Sequence, residues 1–391
     1  MKKALNKCLI ILVFAFLLCS LVKALIRPKS INYYENRPAN QFPILTTAGC
    51  LDSSFQDELE AALSDQVLMA QRLEYTYHSI SSNFLEHSVL KLAESYPDHY
   101  VNFRGMDLFG GNYITFSTIP LDCITNALDQ KIANYNQVFA ANPELQFYVY
   151  YIEKDTDIDF ATGQLSGISD YVLGGLQLPE AQKAVFQVRS FEQFRNQFFR
   201  TDHHWNCQGS YSAYLQVLNM LGKEDPLYPL GTQLLASDFC GSKATVSGAV
   251  NIFQEDFYAH QYEFPPMQIT IDGEPAEDYG RQNRAWNTTA NGAISYGGYY
   301  GGDNGEVVFR TEKSDAGNLL VIGESYDNAI LKLLASSYHN TYSIDLRYYE
   351  SSIGHPFRFS EYASEHDIDT VLLIGNVDYY TMSDFLLEDG V

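Results

Sequence analysis

The apolar residues of this chain gather in a few strand-length blocks separated by long polar stretches. "LQFYVYYI" (145–152), "NLLVIG" (318–323) and "IDTVLLIG" (368–375) are close to continuous apolar runs. Such runs fit strands buried on both faces. "TYSIDL" (341–346) predicts a further strand. Between these blocks the spacing becomes helical. Ser53 or Ser54 can cap a helix over 54–78, with Leu59, Leu63, Val67 and Met69 as its stripe. Tyr211, Tyr214, Leu215 and Leu218 mark a second helix, which Gly222 ends. "ESYDNAILKLLASSY" (324–338) and "FSEYASEHD" (359–367) predict two more. Strands alternating with helices argue for a parallel sheet in an α/β fold. Pro28, Pro38 and Pro43 make 28–53 an extended segment. The stretch 223–316, rich in Gly, Tyr and Asn and containing "ISYGGYYGGDNGE" (294–306), predicts an irregular insertion with some β structure. A loop-rich surface excursion is favoured there over a ligand-facing surface.

The N-terminus changes the picture. Cys8–Val22 is uncharged and apolar between Lys7 and Lys23, which is the pattern of an export signal. No A-x-A site follows, and Leu18 before Cys19 does not suit a lipoprotein site. A retained anchor is expected, with the positive end in the cytoplasm and the body outside. The expected units are 1–27 (anchor or signal), 28–80 (juxtamembrane segment and helix) and 81–391 (main domain). Formal charge is −23, from 25 Lys+Arg and 48 Asp+Glu. Six of the basic groups lie within the first 30 residues, which hold no acid, so the rest carries 19 basic against 48 acidic groups, or −29. A body of that charge repels polyanions, so nucleic acid is excluded as a partner. In an oxidising compartment Cys50, Cys123, Cys207 and Cys240 can form two disulfides in three pairings, Cys207–Cys240 among them, or remain free thiols. No C-x-x-C pair points to structural zinc.

Two motifs carry chemistry. In "LLVIGESYDNAIL" a buried strand ends at Gly323 and Ser325 follows before a helix. Ligands bind at that edge of a parallel sheet, and free N–H groups at a helix start can hold an oxyanion. Ser325 is either a nucleophile or a helix cap. In "TDHHW" (201–205), Asp202 and His204 are two positions apart, so in extended backbone they share a side. A carboxylate orienting a histidine base is what a serine nucleophile needs. His203 then points elsewhere, to structure or substrate. The same letters resemble the Asp-His-His motif of a manganese phosphoesterase family, but the Asp-rich upstream motifs of that family are missing. No metal is expected.

"TDHHW", Gly209 and the aromatic-rich helix behind them resemble the DHHW family, which is related to AlgX/AlgJ-type acetyltransferases of exopolysaccharide biosynthesis. "YYENRPANQFP" (33–43) is similar to the family's N-terminal "ENR…P" element. "FQDELEAALSDQVLMAQR" (55–72) is similar to its helix with Asp-Gln and Arg, and 322–349 to its nucleophile block. The resemblance implies a permuted SGNH-hydrolase-like three-layer fold with the Asp/His motif before the Ser motif. It implies Ser325 as nucleophile, His204 as base and Asp202 as its orienter. The usual Gly-Asp-Ser is Gly323-Glu324-Ser325 here. Oxyanion or substrate contacts are assigned to the Ser325 N–H, with Arg347, Asn376 and His203 as further candidates; Arg347 is equally well a structural ion pair.

The expected function is O-acyl transfer, most simply O-acetyl transfer, to a cell-surface or secreted polysaccharide, without a cofactor. The resemblance implies a membrane-bound O-acyltransferase as donor partner, and the N-terminal segment a membrane tether. A carbohydrate esterase using the same three residues and a non-catalytic glycan-binding or assembly protein are the alternatives.

Overall fold

In the computed structural model, the segment Gln146–Ile152 (β1) sends Phe147, Val149 and Tyr151 to one side and Tyr150 and Ile152 to the other, all buried. The structure describes residues 15–32 (without 17, 21 and 25), 37–45, 54–67, 72, 76, 87–248, 252–280 and 295–387. Seven more strands join β1: Lys183–Phe186 (β2), Met267–Ile271 (β3), Glu274–Ala276 (β4), Glu306–Thr311 (β5), Asn318–Ile322 (β6), Asn340–Ile344 (β7) and Thr370–Gly375 (β8). Their order across the sheet is β4-β3-β5-β7-β6-β8-β1-β2. β7, β6, β8, β1 and β2 run parallel, while β5, β3 and β4 extend the sheet antiparallel.

Helices cover both faces. Thr125–Ala141 (α1) and Phe359–Glu365 (α4) pack Leu128, Tyr135, Val138, Phe359 and Tyr362 on the side of Val149, Ile322 and Leu373. Cys207–Met220 (α2) and Asn328–Ala335 (α3) pack Tyr214, Val217, Ile330 and Leu334 on the side of Ile152, Val321 and Ile374. Two covered faces explain why these strands read as unbroken apolar runs. Each fully buried Leu or Ile contributes about 1.5–3 kcal/mol relative to exposure. The chain leaves β6 through α3 on one face to reach β7, then returns through α4 on the other face to β8. β6 thus lies between the strand that follows it and the strand after that. The carboxyl ends of β6 and β8 lie side by side at this reversal, the usual ligand position in such sheets.

Several sequence expectations are corrected. The stretch 223–316 is not merely a surface excursion. It supplies β3, β4 and β5 to the central sheet and a two-stranded ribbon, Gly231–Phe239 with Glu255–Gln261. Its Tyr279, Tyr296, Tyr299 and Tyr300 are core residues. Of the helix expected over 54–78, the structure shows Ser54–Gln66, a bend at Val67, and helical residues at Arg72 and Thr76; the rest of 68–86 lies outside the described residues. Leu63 is exposed, and polar Asp65 and Gln66 are buried instead. The Asn40 backbone N–H and Nδ2 donate to Asp65 Oδ2 at 2.7 and 2.9 Å, and Gln66 Nε2 donates to the Asn40 and Lys29 carbonyls. The "RPANQ" segment and the Asp-Gln helix end therefore recognise each other directly. Helix α3 begins at Asn328, not at 324. Cys123, Cys207 and Cys240 are free thiols, so Cys207 does not pair with Cys240; Cys50 lies outside the described residues. Among the described residues no helix is long and apolar enough to cross a membrane, and 8–14, 17 and 21 of the apolar run lie outside them.

Candidate active site

The "TDHHW" stretch is a tight loop closed at its base. Phe198 and Trp205 form an antiparallel bridge, the Phe199 N–H donates to the His204 carbonyl at 3.1 Å, and that of Asn206 donates to Gln197 at 2.8 Å. Trp205 is fully buried against Phe186 and Tyr326. The Asn206 side chain then caps α2, accepting from the N–H groups of Gln208 and Gly209. A Cβ on Gly209 would lie 2.1 Å from the Gln197 carbonyl oxygen. Gly209→Ala is therefore expected to destabilise the fold by about 1–3 kcal/mol. Calorimetry would read this as a lower Tm, and an unchanged Tm would show that this contact yields freely.

The ribbon fixes the other side of the loop. Glu255 accepts from the backbone N–H groups of Arg200 and Thr201 at 2.9 and 2.7 Å and from the Thr201 hydroxyl at 2.6 Å. The Thr201 hydroxyl oxygen accepts from the Gly241 N–H at 2.9 Å. A Cβ on Gly241 would sit 2.3 Å from that of Asp202, so only glycine lets this backbone lie against the aspartate.

Asp202, His204 and Ser325 meet. His204 Nδ1 lies 2.6 Å from Asp202 Oδ1, and its Nε2 lies 2.8 Å from Ser325 Oγ. Asp202 Oδ1 also accepts from the His204 backbone N–H at 3.0 Å, and Oδ2 accepts from the Ser242 N–H at 2.7 Å. Burial opposes ionisation of Asp202, but the charge and hydrogen bond of His204 and the other N–H donors outweigh it. The carboxyl is held well below the usual carboxylate range. Tyr296 lies face to face with His204, ring centroids 3.8 Å apart and planes within 2°. His203 does not point away from the pair: its ring lies 3.8 Å from that of His204, tilted by 36°, its Nδ1 is 2.5 Å from Ser242 Oγ and 3.7 Å from Asp202 Oδ1, and its carbonyl accepts from the Tyr326 hydroxyl. Burial and the neighbouring His204 push its imidazole well below the ordinary histidine value, which keeps it neutral. Asp202, His203 and His204 offer donor atoms within 4.8 Å of one another. Within that group, His204 Nδ1 and Asp202 Oδ1 are engaged with each other at 2.6 Å.

Ser325 sits in the turn between β6 and α3, and the N-cap of α3 is Asp327. Ser325 is therefore not the helix cap. From Leu319 to Tyr338 it alone is not buried. Among the described residues no acceptor takes its backbone N–H. Glu324 beside it is buried, and Asn376 Nδ2 donates to its Oε1 at 2.5 Å. Burial raises the Glu324 carboxyl to about 7; Arg347 and Lys154 oppose the rise, and Asp378 and Asp345 add to it. Asn376 also caps the helix Val377–Thr381 (α5) through Oδ1. Arg347 forks onto Asp345, with Nε at 2.9 Å from Oδ1 and a terminal nitrogen 2.6 Å from Oδ2, and lies 3.6 Å from Asp303. Of the further candidates, Asn376 thus touches Glu324, whereas Arg347 is engaged in ion pairs. Sequence reasoning missed Ser242, Glu255, Tyr296 and Tyr326. Only Tyr326, next to Ser325, and Tyr296, in the Gly/Tyr-rich run, carried a signal.

Known proteins fit this picture. The DHHW protein family model matches residues 183–344, a span holding Asp202, His204 and Ser325. A DHHW family protein from Eubacterium siraeum matches the structure at TM-score 0.57 and 15% identity, over 74% of this chain and 98% of that one. Bacillus cereus PatB1 with a sulfonyl adduct matches at 0.54 and 18%, over 74% and 97%. The O-acetyltransferase domain of Pseudomonas putida AlgJ aligns at TM-score 0.37 and 10% identity, over 72% of this chain and 91% of that one. No curated protein sequence matches the chain.

Proposed function

Starting from a chain related to the DHHW family through residues 183–344, we propose that it is a serine O-acyltransferase, most simply an O-acetyltransferase, that modifies a cell-surface or secreted polysaccharide. The observation that carries this reading is His204 bridging Asp202 and Ser325, at 2.6 and 2.8 Å. Ser325 Oγ attacks the acyl carbonyl of the donor as His204 Nε2 takes its proton. Asp202, kept ionised, accepts from His204 Nδ1–H and stabilises the imidazolium. The free Ser325 N–H faces the developing oxyanion. The donor's leaving group departs with the proton from His204. A sugar hydroxyl then attacks the acyl-enzyme, giving its proton to the same nitrogen, and Ser325 is released.

The strand order supports a permuted fold. Counted from β6, the parallel strands lie in the order 2-1-3-4-5 of flavodoxin-like sheets, with β1 and β2 standing in for the last two. The apolar N-terminal run supports export of the body and tethering to a membrane. The resemblance to the DHHW family implies a membrane-bound O-acyltransferase as donor partner, which passes the acyl group to a site outside the cell, where acyl-CoA is not found.

PatB1 is known with a sulfonyl adduct, and sulfonyl fluorides capture activated hydroxyls. Phenylmethylsulfonyl fluoride is expected to add one sulfonyl group to the wild type and none to Ser325→Ala, as read by intact mass. Equal labelling of both would overturn the nucleophile assignment. With an acetyl ester as donor, acetylated oligosaccharide is the expected product. Acetate as the sole product, with or without sugar, would make the protein an esterase.

A further inference from the structure

The site has a component outside its three chemical groups. We propose that Tyr296 is a positioning residue for the base: its ring, laid flat against the His204 imidazole, holds that ring in the plane joining Asp202 to Ser325 and favours its protonated form during transfer. This rests on His204 acting as the base. The rings are 3.8 Å apart and 2° from parallel; the His203 ring lies equally near at 3.8 Å but tilted by 36°, and Tyr326 is 4.9 Å away at 49°, so Tyr296 alone of these three stacks flat on His204. An imidazolium placed against an aromatic face is attracted by the negative charge of that face. A histidine held by hydrogen bonds at Nδ1 and Nε2 can still tilt about the line joining them, and a ring stacked on its face resists that tilt.

The stack is built in rather than incidental. Tyr296 opens the short helix Tyr296–Tyr300, capped by Ser295, whose hydroxyl accepts from the Gly298 N–H at 3.1 Å. Tyr299 and Tyr300 anchor this helix in the core against Phe257. The helix stops at Gly301, in the left-handed region at φ 107°, where a Cβ would lie 2.2 Å from the Tyr279 ring. Tyr279 donates to Asn328 Oδ1 at 2.5 Å, and Asn328 Nδ2 donates back to the Gly301 carbonyl at 3.1 Å. Asn328 begins α3, three residues after Ser325. One tyrosine-glycine segment thus bears on His204 at one end and on the nucleophile turn at the other.

The test uses the full chain with Tyr296→Phe, Tyr296→Leu and Tyr300→Leu, the last a loss of similar buried bulk that does not stack on His204. Two readouts are taken: the rate of Ser325 labelling by phenylmethylsulfonyl fluoride, and the ring-proton NMR shifts of His204, assigned by their loss in His204→Gln. Tyr296→Phe is expected to keep the wild-type labelling rate and the upfield ring-current shift. Tyr296→Leu is expected to lose the shift and to label about three- to tenfold more slowly. Tyr300→Leu is expected to keep the shift and slow labelling less. Should Tyr296→Leu fail to fold, Tyr296→Met fills the space without a ring and carries the same comparison. The proposal is overturned if the ring-free variants label at the wild-type rate, if Tyr296→Phe is as slow as they are, or if Tyr300→Leu slows equally. A wild type that does not label at all overturns the assignment of the base, whatever the NMR shows.

Discussion

Asp202→Asn is expected to lower acyl transfer from Ser325 by about a thousandfold or more, despite near-identical shape. The reason lies in what each carboxylate oxygen accepts. Oδ1 takes two donors from His204, at Nδ1 and at the backbone N–H, and Oδ2 takes the Ser242 N–H. An amide has one acceptor oxygen. With that oxygen toward His204, the amide NH2 confronts the Ser242 N–H. With the amide reversed, its NH2 faces His204 Nδ1, which must then accept. The proton moves to Nε2, and the nitrogen beside Ser325 can no longer take one. Either arrangement leaves a buried donor unmatched, so Asp202→Asn is also expected to lower the Tm. Sulfonyl labelling with thermal unfolding checks both, and a variant that labels within tenfold of wild type would remove Asp202 from the mechanism.

The second large effect is in stability against pH. The folded protein retains the Glu324 proton up to about pH 7, whereas an ordinary glutamate releases it near 4.5. Between those values the folded state binds more protons than the unfolded state, so rising pH costs stability. By pH 8 the loss approaches about 3 kcal/mol. Glu324→Gln has no proton to lose. Its urea midpoint is expected to rise relative to wild type between pH 5 and pH 8, whatever the offset at pH 5. A difference that stays constant across that range would show that Glu324 titrates normally in the fold.

The parts of this design that could be read in advance depend on local spacing. Buried strands announced themselves because both faces of β1, β6 and β8 are covered, which forces apolar residues at every position. Asp202 and His204 were legible because two-residue spacing in extended backbone places them together. What stayed hidden depends on contacts across the chain. Glu255 supports the loop from 54 and 55 residues away, and Ser242 reaches Asp202 from 40. Nothing local marks either. Tyr296 is one of 29 tyrosines, and its neighbours read as turn formers. The helix that starts at Ser54 buries Asp65 and Gln66 in its last turn for hydrogen bonding, a use of polar residues that no apolar stripe reports.

The position of β8 has a consequence for the order in which the protein can be made. β8 lies between β6 and β1, so the pair β1–β2 meets the rest of the sheet only through it. Residues 146–186 leave the ribosome some two hundred residues before their neighbour does. Until residue 375 emerges, β1 has a bare edge, and β6 and β7 have no link to it within the sheet. Joining strands so distant in sequence carries a large loop-closure cost and slows folding. The nascent chain therefore stays open until its final quarter is synthesised, and the surroundings of Ser325, which include Asn376 at the end of β8 on Glu324, are among the last parts of the molecule to exist.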